Sequence, residues 1–294
     1  MVFVVTQSFS QKFKLELAGG IINYQGDLQP KLFTFNLAQP AAGIFLKYEI
    51  PGNIVLRTGF STGRLYANDK FNRDYLQPRN LNFHSNISEI QLAVEYNLLN
   101  LQKYKFSPYL FFGLAVYHFN PYTFDNAGSK IFLQPLSTEG EGLSEFPGKK
   151  KYGLTQAAIP FGGGITYKIN CNSSVSLEFS QRKLFTDYID DVSTNYADQN
   201  ILFSEKGPKA VELAYRGNEL PGGAPYPANG SQRGNPKQND WYYSTMLKFS
   251  FNLVSCESGK SIFSGLSGLT SLFGEKNSGN EKIKNNTKCP RNVL

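Results

Sequence analysis

Residues 241–253 read Trp-Tyr-Tyr-Ser-Thr-Met-Leu-Lys-Phe-Ser-Phe-Asn-Leu, and apolar and polar side chains alternate along this stretch. Successive side chains of a β-strand point to opposite sides, so the pattern predicts a strand with two chemically different faces. One face would carry Trp241, Tyr243, Thr245, Leu247, Phe249, Phe251 and Leu253. The other would carry Tyr242, Ser244, Met246, Lys248, Ser250 and Asn252.

The same alternation recurs along the chain, whereas helical periodicity is almost absent. Residues 88–98 and 174–180 repeat it clearly, and less regular versions run through 13–24, 41–50, 53–66, 106–119 and 155–169. These segments predict an all-β protein with eight strands.

The lengths of the connections predict how the strands are arranged. Three connections are short, at 51–53, 100–105 and 170–173, and four are long, at 25–40, 67–82, 120–154 and 188–239. Long and short connections alternate strictly. In an antiparallel up-and-down barrel, alternate connections lie at opposite ends, and outer-membrane barrels have short periplasmic turns and long external loops. We therefore expect an outer-membrane barrel with short turns and both termini in the periplasm and long loops outside the cell.

The charged residues indicate which face points inward. Charged residues make up only 18% of the 294 residues, while Tyr and Phe number 17 and 24. Rows of aromatic residues are too bulky for the interior of eight strands, so we place them in lipid and the charges in the lumen. The predicted inward charges are Lys14, Lys47, Arg57, Lys168, Arg182 and Lys248 with Glu16, Glu49, Glu89, Glu95 and Glu178. A soluble eight-stranded barrel or sandwich remains the alternative.

Aromatic residues near the strand ends suit the two girdles that flank the lipid-facing band of a membrane barrel. The candidates are Tyr24, Tyr48, Tyr66, Tyr96, Tyr109, Tyr117, Trp241 and Tyr243.

Several classes of function are disfavoured by composition. The sequence contains no run of 18 apolar residues, the length that would predict a membrane-spanning helix. Two His and three widely spaced Cys do not form the clustered ligand patterns of zinc or iron–sulfur sites. The net charge of +7 is spread along the chain, and its densest cluster, Lys149 to Lys151, lies in a predicted loop. We predict no metal, no cofactor, no catalytic residue and no nucleic-acid partner.

Two alternatives to a structural role remain open. His84 and His118, with Ser85, would lie near the external rim on neighbouring strands, as in a barrel enzyme that acts on lipid, although no Gly-x-Ser-x-Gly motif is present. The second alternative is a small-solute channel, which a lumen packed with ion pairs disfavours.

The predicted loops contain acidic clusters that we interpret as solvated. Asp187, Asp190 and Asp191 open the last long loop, and a calcium site is the alternative for them. Glu139, Glu141 and Glu145 are interpreted in the same way.

Three regions follow from these patterns. Residues 1–12 are a signal-peptide remnant or a disordered leader, residues 13–254 form the barrel, and residues 255–294 are a periplasmic tail. In the tail, a helix-like apolar stripe suggests docking to a periplasmic partner, packing beneath the barrel mouth or binding at the membrane interface. It comprises Ile262, Phe263, Leu266, Leu269, Leu272 and Phe273. Cys171, Cys256 and Cys289 all fall on the periplasmic side, where Cys256 has two candidate disulfide partners.

Five motifs, taken together in their order and spacing, resemble a known family. They are Asn82-Phe83-His84-Ser85-Asn86-Ile87-Ser88-Glu89, Phe106-Ser107-Pro108-Tyr109-Leu110-Phe111-Phe112-Gly113, Ile159-Pro160-Phe161-Gly162-Gly163-Gly164, Phe185-Thr186-Asp187-Tyr188-Ile189-Asp190-Asp191-Val192-Ser193 and Asn239-Asp240-Trp241-Tyr242. This region, residues 13–254, resembles the PorG-like outer-membrane barrel of the type IX secretion system of Bacteroidota.

The resemblance implies an eight-stranded, non-enzymatic barrel. It also implies association with a periplasmic ring, formed by a lipoprotein and its partner, that serves protein export and gliding. The tail from Ser255 to Leu294 departs from the family pattern.

Overall fold

The computed structural model describes residues 13–32 and 34–253. Ten strands in this part of the chain form one antiparallel sheet. They are β1 (Phe13–Gln25), β2 (Gln39–Ile50), β3 (Ile54–Asn68), β4 (Asn82–Asn97), β5 (Phe106–His118), β6 (Pro121–Phe124), β7 (Lys130–Phe132), β8 (Thr155–Lys168), β9 (Ser173–Leu184) and β10 (Trp241–Asn252).

Eight of these strands close into a barrel, as the sequence predicts. Neighbours in the chain pair from β1 to β5, then β5 pairs with β8, β8 with β9 and β9 with β10. The last strand returns to the first, with Tyr242 opposite Tyr24, so no barrel strand keeps an unpaired edge. Strands β6 and β7 form a hairpin that pairs with the first residues of β4, at the end opposite the short turns, where Tyr122 pairs with His84.

The two faces of the barrel have the polarity of a membrane protein. On β4, the outward side chains of Ile90, Leu92 and Val94 are 63%, 55% and 49% exposed. The alternate side chains of Glu89 and Glu95 on the same strand are buried in the lumen. A soluble barrel has the opposite arrangement, so this exterior requires an apolar surrounding such as lipid. This result confirms the sidedness predicted from the charges.

Backbone conformation and close packing explain two of the glycines. In the turn between β2 and β3, Gly52 and Asn53 have φ angles of 92° and 66°, the left-handed conformations of tight hairpins. On β8, a Cβ atom at Gly164 would lie 2.5 Å from the carbonyl oxygen of Leu177 and 2.7 Å from the ring of Tyr109. Gly164 therefore makes room for a large side chain inside the narrow barrel.

The four long connections, at residues 26–38, 69–81, 119–154 and 185–240, meet at one end of the barrel and form a cap. The cap contains α1 (Gln199–Lys206) and α2 (Pro208–Ala214), which the sequence pattern did not predict because each spans only about two turns. It also contains short 3-10 helices at Phe35–Leu37, Asp69–Phe71, Gln77–Arg79, Gln134–Leu136 and Gly217–Glu219. In the described part of the chain, no helix is long and apolar enough to cross a membrane.

The cap and the barrel share one apolar core. Inward side chains of the barrel, such as Leu65 and Phe83, belong to the same buried cluster as Phe119, Ile189 and Leu213 of the cap. The cap loops also contact one another: the side-chain amide of Asn72 donates to the carbonyl of Asp27 at 2.8 Å. The cap is thus packed into the upper end of the lumen.

The structure corrects four of the predicted girdle tyrosines. Tyr243 lies on the outward row of β10 but is covered, with 3% exposure. Tyr24, Tyr109 and Tyr117 are buried at 1%, 1% and 0% exposure, and they point into the lumen. Their strands alternate less regularly, and the inward face of an eight-stranded barrel here accepts aromatic rings next to small residues. Tyr96 is 49% exposed on the outer face, as a girdle residue would be.

Some predictions fall on residues outside the described ranges. These are the leader 1–12, the tail 255–294 with its apolar stripe, and Cys256 and Cys289. Cys171 is exposed in the short turn between β8 and β9.

Candidate functional site

The half of the lumen nearer the short turns is filled by a cluster of three carboxylates and three cations. Lys47 Nζ lies 2.7 Å from Glu16 and 3.0 Å from Glu95. Glu178 lies 2.5 Å from Arg57 Nη1 and 2.8 Å from Lys248 Nζ. All six side chains are buried. Each charge has an opposite charge within contact distance, which offsets the cost of removing it from water.

Aromatic rings complete the packing of this cluster. The guanidinium carbon of Arg57 lies 4.2 Å from the centre of the Phe111 ring, and Lys248 Nζ lies 4.4 Å from that of Phe45. Two guanidinium nitrogens of Arg57, Nε and Nη2, have no hydrogen-bond acceptor among the described residues. The ring face therefore supplies part of the compensation for this buried cation.

A second ion pair lies farther along the lumen, toward the cap. Arg182 donates to both carboxylate oxygens of Glu89, at 3.2 and 3.1 Å. Tyr242 Oη donates to the same carboxylate at 2.6 Å, and Arg182 also contacts the hydroxyl of Ser244 at 2.8 Å. We call the cluster and this second ion pair together the lumen network. Its eight charged residues are Glu16, Lys47, Arg57, Glu89, Glu95, Glu178, Arg182 and Lys248. It contains four acids and four bases.

Three further predicted lumen charges lie at the mouth near the short turns. Lys14 and Glu49 form an ion pair of 2.5 Å, with side chains 20% and 39% exposed. Lys168 Nζ donates to the carbonyl of Leu101 at 3.2 Å. The charged residues predicted for the polar face therefore all face the lumen. Those in its central part are buried, whereas those at the mouth are partly exposed.

The cap contains a different arrangement of charge, which we call the cap acid cluster. It consists of six buried carboxyl groups: Glu139, Glu141, Asp187, Asp190, Asp191 and Asp240. The interpretation of these loop acids as solvated was wrong for all five of the predicted residues in this set. The cap packs onto the barrel and covers them, and nothing in their local spacing indicates it. Glu145 is exposed, as expected.

Arg233 organises one side of the cap acid cluster. It donates to Glu139 Oε1 at 3.0 Å and to the carbonyl of Asp191, while Asp191 Oδ2 lies 3.8 Å from its Nη2. Glu139 also accepts from the backbone N–H groups of Ser193 and Thr194, at 2.9 and 2.8 Å. Burial alone would lower the pKa of Arg233, but Glu139 and Asp191 raise it overall.

Tyr24 links two other acids of the cap acid cluster. Its Oη lies 2.6 Å from Asp190 Oδ2 and 2.8 Å from Asp240 Oδ1. A phenol has one proton, so the second contact is a hydrogen bond only when one carboxyl is protonated and donates. Burial, followed by the carboxyl of Asp240, raises the pKa of Asp190 well above its usual value. Both observations favour a proton shared between Asp190 and Asp240.

Asp187 and Glu141 form no ion pair with a cation in the described part of the chain. Burial, and then the charge of Asp190, raises the pKa of Asp187 to about 9. Burial, and then the charges of Asp191 and Glu139, raises the pKa of Glu141 to about 8. Among the described residues, no group of three or more His, Cys, Asp or Glu side chains is arranged to hold a metal ion.

A cleft of about 1040 Å³ opens on the side of the cap above β1, β9 and β10. We call it the cap cleft. Loops 26–38, 69–81 and 185–240 all contribute to its walls. Its floor includes Arg79, whose Nη2 lies 2.7 Å from Asp69 Oδ1, and Arg233 of the cap acid cluster. Sequence analysis did not identify Arg79, Asp69 or Arg233, because none of them lies in a recognisable motif.

The residues of the candidate lipid-enzyme site do not come together. Ser85 is buried and points inward, where its Oγ accepts from the backbone N–H of Asn120 at 3.2 Å. His84 lies on the outer face between Tyr66 and Tyr122, with ring centres 4.6 and 5.4 Å away. His118 also points outward and contacts Thr155 Oγ1 at 3.0 Å. Opposite faces of one sheet separate the serine from both histidines.

Comparisons with known proteins give a family match to part of the chain and several similar structures. Residues 1–134 match the family described as a domain of unknown function, DUF6089. No curated protein matches the sequence.

Among solved structures, Neisserial surface protein A (NspA) is 10% identical with a TM-score of 0.40, covering 82% of this chain and 96% of that chain. Ail of Yersinia pestis is 8% identical with a TM-score of 0.39, covering 82% and 98%. A major outer membrane protein from Thermus thermophilus is 13% identical with a TM-score of 0.40, covering 82% and 98%. The assignment of the fold rests on the strand pairing and the sidedness described above.

Proposed function

We propose that this protein is a non-enzymatic, non-conducting outer-membrane barrel that anchors part of a type IX protein secretion machine. The observation that carries the proposal is the filled lumen. Buried side chains follow one another from Lys47 and Arg57, through Glu89 and Arg182, to Phe83 and the cap. Buried side chains along the lumen support a role that the surfaces of the barrel carry out. The five sequence motifs that resemble those of PorG-like barrels suggest which machine those surfaces serve.

The orientation of the barrel is part of the proposal. Long loops face outward and short turns face the periplasm in barrels of the bacterial outer membrane. The short turns would then meet the periplasmic ring of a lipoprotein and its partner. The turn between β4 and β5 presents Tyr104, 53% exposed, between the exposed Lys103 and Lys105. Exposed tyrosine side chains are enriched at protein–protein contacts.

Partner recovery from detergent-solubilised outer membranes tests this role. We expect the unchanged protein to recover the ring proteins, and deletion of residues 258–294 to reduce both recovery and export while leaving a heat-modifiable barrel. Tyr104→Ala tests the turn, with Phe203→Ala on the cap as the matched control because Phe203 is 56% exposed. If neither the deletion nor Tyr104→Ala reduces recovery, the two proposed contacts are wrong. If the unchanged protein recovers no export component, the secretion role fails.

Planar bilayers test the absence of conduction. The unchanged barrel should show little or no conductance because the lumen network and the cap occupy its interior. Steady openings of the unchanged protein would favour the small-solute channel instead. The lipid-enzyme alternative predicts that replacing His84 and His118 abolishes a lipid modification, whereas a scaffold has no such activity to lose.

A further inference from the structure

The cap cleft has an excess of positive charge at its opening. Arg73, Lys183 and Lys237 line it with exposed side chains, and none of the three forms an ion pair with a residue in the described ranges. Asp27 is the acidic residue of the lining, and its Oδ2 already accepts from the backbone N–H of Asn235 at 2.8 Å. Three cations are therefore available to an anionic ligand.

The floor of the cleft is rigid. Arg79 holds Asp69 through two hydrogen bonds, at 2.7 and 3.1 Å, and also donates to the carbonyls of Asp27 and Arg233. These contacts tie the three loops of the cleft together. A ligand would then bind to a preformed shape and lose little free energy to ordering the loops.

The position of the cleft relative to lipid restricts the ligand. Lys183 and Trp241 are cross-strand partners on β9 and β10, and both lie on the outward face at the cap end of the barrel wall. Outward residues at this level border the lipid headgroups, where Trp is commonly found. The cleft thus opens from the headgroup layer into the cap.

We infer that the cap cleft binds the phosphate-bearing headgroup of an outer-leaflet lipid. Its volume of about 1040 Å³ is large enough for a sugar headgroup. Lysine and arginine bind phosphate through charge-assisted hydrogen bonds, and Trp241 offers a ring face for sugar packing. This inference goes beyond the anchoring role and rests on the proposed function only for the orientation that places the cap outside the cell.

Trp241 is the single tryptophan of the chain, so its fluorescence reports directly on the cleft. The purified barrel in detergent would be titrated with diphosphoryl lipid A, with dephosphorylated lipid A and with glucosamine 1-phosphate. Native mass spectrometry would count bound lipid independently of the fluorescence. The test variant is the triple Arg73→Gln, Lys183→Gln and Lys237→Gln.

The matched control is the triple Lys70→Gln, Lys150→Gln and Lys151→Gln, which removes three exposed positive charges from the cap outside the cleft. We expect the test triple to bind diphosphoryl lipid A roughly 100-fold more weakly at low salt, since each of the three cations near the surface contributes about fivefold. The control triple should bind like the unchanged protein. Heat-modifiability on gels verifies that each variant is folded. If the test triple does not fold, the single variants Arg73→Gln and Lys237→Gln replace it in the titrations.

Three results would overturn the inference. Equal affinities of the test and control triples would show that the cleft cations do not contribute. Equal binding of dephosphorylated lipid A would show that acyl chains on the barrel wall, rather than phosphate, are recognised. Binding of glucosamine 1-phosphate as tight as that of diphosphoryl lipid A would assign the cleft to a soluble sugar phosphate instead of a lipid.

Discussion

The lumen network and the cap acid cluster are both buried, but they compensate their charges differently. In the lumen, four carboxylates meet four cations, and every carboxylate lies within contact distance of at least one cation. In the cap acid cluster, two of six carboxyl groups contact Arg233, and the other four contact no cation in the described part of the chain. This cluster is compensated instead by protons and by backbone N–H groups.

The difference follows from where each group sits. Lumen side chains face one another across a narrow barrel, so opposite charges from several strands reach one another. Cap side chains are held on loops whose backbone N–H groups are free to donate, as Ser193 and Thr194 do to Glu139. We expect the lumen network to be sensitive to the loss of a partner and the cap to be sensitive to pH.

The largest effect is expected in the lumen. Glu89→Ala leaves Arg182 buried without its carboxylate, and a guanidinium cannot lose its proton to escape the cost. We expect a loss of about 3 to 5 kcal/mol in the free energy of unfolding. Urea titration in lipid vesicles, with heat-modifiability on gels, measures it.

A double variant provides the control for this prediction. Glu89→Gln with Arg182→Met removes both charges and should recover most of the lost stability, because no unpaired ion remains. If Glu89→Ala melts like the unchanged protein, Arg182 reaches water and the lumen is not closed.

A smaller and local effect is expected in the cap. Arg233→Met removes the cation beside Glu139 and Asp191, but these carboxyl groups are able to take up protons. We expect the free energy of unfolding of the cap to fall by about 1 to 3 kcal/mol, with no change in the barrel. Hydrogen exchange should show lost protection in residues 187–194 and unchanged protection in the barrel strands.

Arg73→Met, also in the cap but exposed, should leave the exchange pattern unchanged. Equal loss of protection in the barrel strands after Arg233→Met would contradict the separation of the two regions.

The pH dependence of the cap should distinguish it from the lumen. The pKa of Asp187 is about 9 in the folded protein, above its value of about 3.9 in an unfolded chain. The folded cap therefore binds the proton more tightly than the unfolded cap. Its stability decreases as pH rises from about 4 through about 9 and then becomes constant.

Asp187→Asn should reduce this decrease, because the variant has no proton to lose, and should raise cap stability at pH 8 with no gain at pH 4. Protection factors of cap amides, corrected for the intrinsic exchange rate at each pH, measure both quantities. A cap whose protection rises with pH would show that the acids are ionised and paired with a cation.

The smallest effect is expected at the mouth of the lumen. Glu49→Ala removes the partner of Lys14, and both side chains reach water. We expect a change of about 0.5 kcal/mol or less in the free energy of unfolding. A loss as large as that of Glu89→Ala would mean that the short-turn mouth is closed by a contact beyond the described residues.

The sequence by itself determined the architecture and most of the lumen. Alternation along residues 241–253 and 88–98 identified strands and their polar faces, because the side-chain period of a strand is local information. The alternation of long and short connections identified the barrel, since chain direction reverses at every strand. The eight charges of the lumen network were all on the predicted polar faces.

Only the tertiary structure determined which groups compensate the charges of the cap. Arg233 meets Glu139 across 94 residues of sequence, and Tyr24 meets Asp240 across 216. Such contacts depend on how four loops fold over one barrel end, which no periodic pattern encodes. The burial of Asp187, Asp190 and Asp191 and the assembly of the cap cleft from three loops both arise from this long-range packing.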